Sequence, residues 1–177
     1  MKISETKLKD CLIIEPDMHK DDRGFFMETY QFSKYQSIAG INYSFVQDNF
    51  SRSFKGVLRG LHYQLKKPQG KLVSVLKGEV YDVAVDLRRD SETFQQWYGI
   101  NLSDKNRRQM WIPPGFAHGF VVLTEYADFL YKCSDFYDPD DEKCIIWNDP
   151  DLSISWPIKD PIISKKDSEG SFFCELW

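Results

Sequence analysis

The sequence predicts an all-β fold built from short antiparallel strands. Three observations carry that prediction. Turn-forming residues recur along the whole 177-residue chain, so the segments between them are short. Many of those segments are rich in Val, Ile, Phe, Tyr and Trp, which suit a pleated, half-buried surface. Apolar residues at helical spacing are scarce. An antiparallel sandwich, a jelly roll and a barrel all satisfy this pattern, and such folds can hold a ligand in their mouth.

Taken from the start, the segment MKISETKLKDC has no apolar signal core. Residues 28–38 (ETYQFSKYQSI) are the best helix candidate, with an end near Gly40. Residues 71–87 give the clearest strand signal. Two apolar runs, LVSVL and VYDVAVDL, flank Lys77-Gly78-Glu79, which reads as a hairpin. In the second run Tyr81, Val83, Val85 and Leu87 alternate with Asp82, Ala84 and Asp86, the period of a strand with one buried face. Aromatics gather at Phe129, Tyr131, Phe136 and Tyr137, and Phe129 reads as core. No repeat, low-complexity stretch or linker interrupts the chain, so a single domain over residues 1–177 is expected.

Composition narrows the function. Hydrophobic residues at 42% and charged residues at 28% give an ordinary globular balance. A formal net charge of −4 argues against general nucleic-acid binding, which needs a basic face, yet leaves room for a small anionic ligand held by local arginines. No apolar run approaches the roughly 20 residues that cross a bilayer. A cytoplasmic protein is expected. Its four cysteines (Cys11, Cys133, Cys144, Cys174) show no zinc spacing and are expected as free thiols in or near the core.

Three histidines are candidates for chemistry. His19 lies in the charged segment DMHKDDRG and reads as a solvated loop residue. His62 (VLRGLHYQ) and His118 (WIPPGFAHGFVVL) interrupt apolar β-like runs, where a polar side chain needs a partner. Each taken alone reads first as a hydrogen-bonded core histidine. Arg59 and Lys71 lie near His62, and paired strands would bring all three to one cavity. Strict alternation puts Arg59 and His62 on opposite faces, but Gly60 between them marks a candidate bulge that would realign them. Metal binding finds little support: no H-x-H occurs, and Gln64 stands two positions after His62. No G-x-S-x-G elbow, P-loop or G-x-G-x-x-G fingerprint is present, which argues against serine nucleophiles, ATP and NAD.

The segments form a recognisable set. They are D-x-R-G-F-F-x-E-x-Y (residues 21–30), F-V-Q-D-N (45–49), V-L-R-G-L-H-Y-Q (57–64), G-K-L-V (70–73) and G-E-V-Y-D-V-A-V-D-L-R (78–88). W-I-P-P-G-F-A-H-G-F (111–120), F-L-Y-K-C (129–133), W-N-D-P-D-L (147–152) and S-K-K-D (164–167) complete it. In this order they resemble the dTDP-4-dehydrorhamnose 3,5-epimerase family from about residue 10 to residue 168. The tail, residues 170–177, carries no usable motif.

The resemblance implies a cupin-type jelly roll with one or two short helices, a homodimer, no cofactor and no metal. It implies a dTDP-4-keto-6-deoxy sugar as substrate. His62 resembles the catalytic base, Asp167 its orienting partner, Lys71 the cation beside an enolate and Tyr131 the proton donor on the opposite face. Tyr137 resembles the residue that stacks on thymine. Arg23, Glu28, Gln47, Asp48, Asn49, Arg59, His118, Glu142 and Lys166 resemble the other nucleotide-sugar contacts. The residue types suit the chemistry. Imidazole is a base of near-neutral pKa, and a tyrosine hydroxyl is protonated at pH 7. A non-catalytic sugar-binding barrel would need no Lys–His–Asp–Tyr set. A relative that inverts one carbon, or a 3,4-ketoisomerase, would use much of the same set.

Overall fold

The computed structural model describes residues 1–176; Trp177, the end of the unassigned tail, lies outside the described residues. Thirteen strands and two short α-helices are found among the described residues. The N-terminal part contains β1 (Lys2–Glu5), β2 (Leu12–Glu15), β3 (Met18–Asp21), β4 (Gly24–Met27) and helix α1 (Phe32–Ala39). The central part contains β5 (Gln47–Phe54), β6 (Leu58–Gln64), β7 (Lys71–Lys77), β8 (Glu79–Asp86), β9 (Trp97–Ser103) and β10 (Gln109–Ile112). The last part contains β11 (Phe116–Val122), β12 (Tyr126–Cys133), β13 (Glu142–Cys144), helix α2 (Lys165–Ser168) and a single 3-10 turn, Phe173–Glu175.

The strands form two antiparallel sheets of a cupin-like jelly roll. One has six strands in the order β1-β2-β10-β7-β12-β5, the other five in the order β13-β6-β11-β8-β9. A separate β3–β4 hairpin forms an arm. Between the sheets lies the main core, in which Val73, Val75 and Phe129 of the six-stranded sheet meet Val80, Ala84, Phe116 and Phe120 of the other.

Two expectations are corrected here. Residues 71–87 are two strands joined at Gly78, but β7 and β8 do not pair with each other: β7 pairs with β10 and β12, while β8 pairs with β9 and β11. Gly78 is a corner at which the chain changes sheets. Its φ of 80° and the position of Tyr126 O, where a Cβ would stand, both require glycine. The turn residue was legible, but a turn does not reveal whether its flanks pair. The second correction concerns β8, which is buried on both faces. Ala84 faces the main core, whereas Val83 and Val85 pack under Leu152, Ile145 and Phe173 of the C-terminal segment. This segment therefore covers the outside of the five-stranded sheet.

Helix α1 starts later than its sequence suggested. The side chain of Gln31 accepts a hydrogen bond from the Lys34 N–H at 2.6 Å and caps it, and Gly40 closes it in the left-handed region at φ 67°. Its one buried residue, Tyr35, packs with Ile14, Ile41, Leu72 and Trp111 on one end of the six-stranded sheet. The rest of that outer face stays open: Phe50, Phe54 and Leu76 are exposed, as are Phe25 and Phe26 on the arm. His19 is exposed as expected but lies on β3 rather than in a loop. The four cysteines are free; Cys11 and Cys133 are buried, Cys144 is half-buried and Cys174 is exposed, contrary to the core position expected of it.

Candidate active site

Between the sheets a cavity of about 320 Å³ opens to solvent. Two larger depressions, of about 1000 and 780 Å³, lie elsewhere on the surface. The smaller cavity is the one that gathers the ionisable groups of interest: Arg59, His62, Lys71, His118, Tyr131, Tyr137 and Glu142.

Strand β6 aims two of these groups. Opposite β11, His62 stands against His118 and Arg59 against Phe120, so β6 carries one extra residue over that stretch. This is the bulge expected at Gly60, and it brings Arg59 and His62 to the same cavity. Gly60 has φ 122°, and a Cβ there would lie 2.5 Å from Gly119 Cα and 2.7 Å from His118 O. Gly60→Ala is therefore expected to cost about 2–4 kcal/mol of stability through backbone strain and overpacking. That corresponds to roughly 5–15 °C in Tm for a chain of this size. Misaligned side chains should lower kcat/KM by on the order of 10²-fold. A variant with parent Tm and parent activity would show that the bulge does not aim the site.

His62 Nε2 lies 2.6 Å from Asp167 Oδ1. Asp167 comes from helix α2, whose N-cap, Ser164, accepts the Asp167 N–H through its hydroxyl at 3.1 Å. The preceding segment is pinned beside the start of β6 by Ile162 N–H to Gly56 O and Leu58 N–H to Ile162 O. That pinning sets the Asp167 carboxylate behind the ring of His62, 105 residues away in sequence. Burial raises the Asp167 pKa, but hydrogen bonds from His62, Ser164 and the Gly60 N–H, with the charge of His62, hold it below the ordinary carboxylate value.

Across the cavity stand groups from the six-stranded sheet. On β12 the side chains alternate: Phe129, Tyr131 and Cys133 face inward, Leu130 and Lys132 outward. Burial pushes the Tyr131 hydroxyl up to about 12, with Cys133 and Glu142 adding to the shift, so it keeps its proton at neutral pH. Lys71 on β7 is lowered from its ordinary value by burial, against the opposing pull of Cys133, Glu142 and Asp82.

The rim is polar. Tyr137 donates to Glu142 Oε2 at 3.0 Å, and Lys166 pairs with the same carboxylate. Gln47 Nε2 donates to Asn49 Oδ1 at 2.9 Å, and Arg59 Nε donates to Ser53 Oγ at 2.9 Å. His118 Nε2 lies 3.0 Å from both oxygens of the fully buried Asp82.

Nine of the fourteen residues named from sequence line this cavity: Gln47, Asn49, Arg59, His62, Lys71, His118, Tyr131, Tyr137 and Glu142. Asp167 and Lys166 bond to members of that set. Three stand apart from it. Asp48 points outward and pairs with Lys132 at 2.9 Å, because alternation on β5 sends it to the opposite face from Gln47 and Asn49. Arg23 and Glu28 lie at the β3–β4 arm, where Arg23 holds Asp21 and Glu28 holds Lys34. Sequence reasoning missed Asp82, Ser51, Gln69 and Phe120. Asp82 did give a signal, an acid within an apolar strand, but alternation alone does not say which face of β8 is the inner one.

One mixed group among the described residues has metal-ligand character: His62, Cys144 and Asp167 offer ligand atoms within 4.8 Å of one another. The Cys144 thiol is pushed up to about 12 by burial and by the adjacent Asp167 charge.

With this geometry established, the family model for dTDP-4-dehydrorhamnose 3,5-epimerase matches residues 5–175 of the chain. The chain belongs to the dTDP-4-dehydrorhamnose 3,5-epimerase family. Within that family, the Pseudomonas aeruginosa epimerase is 57% identical over 176 residues, covering 99% of this chain and 97% of that protein. A Legionella pneumophila 3,5-epimerase, solved in complex with dTDP-4-keto-L-rhamnose, superposes with a TM-score of 0.96 at 53% identity, over 99% of this chain and 94% of that one. A more distant structure, a 3′-monoepimerase from Streptomyces bikiniensis in complex with dTDP-quinovose, gives a TM-score of 0.88 at 28% identity, over 96% and 86%.

Proposed function

We propose that the chain inverts C3 and C5 of dTDP-4-dehydro-6-deoxy-D-glucose, giving dTDP-4-dehydro-L-rhamnose in dTDP-L-rhamnose synthesis. One observation carries the mechanism: His62, with Asp167 behind it, and Tyr131 project into a single cavity from opposite sheets. Stacked sheets stand about 10 Å apart, enough for a sugar ring to lie between base and acid.

Both carbons adjoin the C4 ketone. Asp167 accepts from His62 Nε2–H, which leaves Nδ1 as the nitrogen with a free lone pair. Nδ1 removes the proton from the carbon, the C–H electrons form the enolate, and the charge comes to rest on the C4 oxygen. Lys71 supplies positive charge there. One such donor in a site closed to water is worth about 3–4 kcal/mol in the transition state. Tyr131 then delivers its proton to the opposite face, and the configuration inverts. The imidazolium and the tyrosinate exchange with water and reset, so the ketone stays at C4 and no redox cofactor takes part. Gln47, Asn49, Arg59, His118, Glu142 and Lys166 hold the nucleotide sugar, and Tyr137 stacks on the base.

Incubation with dTDP-4-dehydro-6-deoxyglucose in D2O, followed by NMR, tests this reading. Deuterium at both C3 and C5 with inversion at each is expected. Deuterium and inversion at one carbon would make the chain a mono-epimerase, and a carbonyl moved to C3 would make it a ketoisomerase.

The active form is proposed to be a homodimer. Support comes from the uncovered Phe50, Phe54 and Leu76 on the six-stranded sheet and from the neighbouring arm with Phe25 and Phe26. The same pairing accounts for Arg23 and Glu28, which stand away from the cavity of their own chain and would contact sugar nucleotide in the partner's. Asp48, on the outer face beside Phe50, belongs to the same surface. Light scattering is expected to give the mass of two chains at micromolar concentration; the mass of one chain would refute the pairing. No helix among the described residues is long and apolar enough to cross a membrane. The four free cysteines are in keeping with a reaction in the cytoplasm.

A further inference from the structure

Beside the pair that serves the epimerase chemistry lies a side chain for which that chemistry has no use. Cys144 stands directly opposite His62 in the β13–β6 pairing. Opposite residues of an antiparallel pair share a face, with Cβ atoms about 4.5–5.5 Å apart, so the backbone itself holds thiol and imidazole together. Asp167 reaches the same spot from α2. Cys144 Sγ is 3.9 Å from Asp167 Oδ1, which is in turn 2.6 Å from His62 Nε2.

We propose that His62, Cys144 and Asp167 form a site for a soft divalent cation of the Zn2+ or Cd2+ type, and that its occupation switches the epimerase off. Zinc bound to nitrogen, oxygen and sulfur sits about 2.0–2.3 Å from each, which places its ligands roughly 3.3–3.8 Å apart. The observed separations run from 2.6 Å to no more than 4.8 Å and bracket that spacing. A thiol, an imidazole and one carboxylate are the donor set that prefers zinc and cadmium to magnesium and calcium. Asp167 is buried, but His62 and Cys144 are each only half-buried, so the three ligand atoms lie within reach of solvent.

Inhibition follows from the ring's two nitrogens. The cation takes the Nε2 lone pair, so the proton of the neutral ring moves to Nδ1. Nδ1 is the atom needed as base, and it can no longer accept. Cys144 releases its thiol proton to solvent on binding. This consequence rests on the assignment of His62 as the base, whereas metal binding does not.

The full-length chain, without substrate, is titrated with Co2+ as a spectroscopic probe. A thiolate-to-cobalt charge-transfer band in the near ultraviolet is expected, saturating at one equivalent. In C144A that band should vanish, and the Zn2+ concentration that halves turnover should rise more than about 10-fold, the loss of a direct ligand exceeding that of an outer-shell partner. Turnover without metal should be unchanged in C144A, and C174A should behave as the parent. C144S is read in the same way if C144A does not fold. EDTA should restore the zinc-treated parent and leave untreated parent unaffected. No band in the parent, or a band and inhibition unaltered in C144A, overturns the site. Equal inhibition by Mg2+ does so too, since it would reveal capture of the substrate diphosphate. A cobalt band with no effect of zinc on turnover would keep the site and remove His62 as the base, which separates the two claims.

Discussion

His62→Ala is expected to remove nearly all epimerase activity while leaving the chain folded. General base catalysis contributes about 10²–10⁴-fold, so kcat should fall by at least that factor. The other histidine in the cavity, His118, also has a carboxylate behind it, Asp82, but its side chain is only 7% exposed, so it is far less open to a substrate. The fold should survive because His62 is only partly buried, at 27% side-chain exposure, and the truncated side chain leaves a gap that water can enter. Asp167 would still receive the Ser164 and Gly60 hydrogen bonds. Circular dichroism should match the parent. Purified, folded variant that retains most of its turnover would end the assignment of His62 as base.

Tyr131→Phe should separate the two halves of the reaction. The substitution removes one oxygen and leaves the ring packed beside Phe129, whose centroid lies 6.0 Å away. If Tyr131 only filled space in the barrel wall, turnover would scarcely change. As the acid across the sugar ring from His62, it should be indispensable for inversion but not for proton removal. In D2O the variant should therefore exchange substrate protons for deuterium on the original face and form little inverted product, with inversion down by on the order of 10²-fold or more. Inversion of both carbons at close to the parent rate would show that the proton comes from elsewhere. The raised pKa of the hydroxyl, about 12 in the folded chain, has a further consequence. The proton is held well above neutrality, so loss of activity at mildly alkaline pH should not come from Tyr131.

Much of the site was legible because local pattern and motif act through neighbours in sequence. Gly60 between Arg59 and His62 signalled a bulge, since only an extra residue puts both side chains on one face. Alternation in FLYKC puts Tyr131 on the same face as Phe129, which reads as core. Family resemblance supplied roles that no spacing could.

What the sequence determined by itself was the strand-rich class, the positions of its turns, the bulge, and which residue types are available for acid, base and cation. Tertiary structure alone decided which strands pair across those turns. Residues 71–87 show why: the corner at Gly78 looks the same in sequence whether its flanks form a hairpin or part into two sheets, because hydrogen-bond partners are chosen by the whole barrel. It also decided that the C-terminal segment with Ile145, Leu152 and Phe173 buries the second face of β8, that Asp82 stands behind His118, and that Asp167 meets His62 over 105 residues of chain. Arg23, Glu28 and Asp48 fell outside the cavity for the same reason. A side chain's type is written in the sequence, but the surface it faces is set by contacts between segments far apart in it.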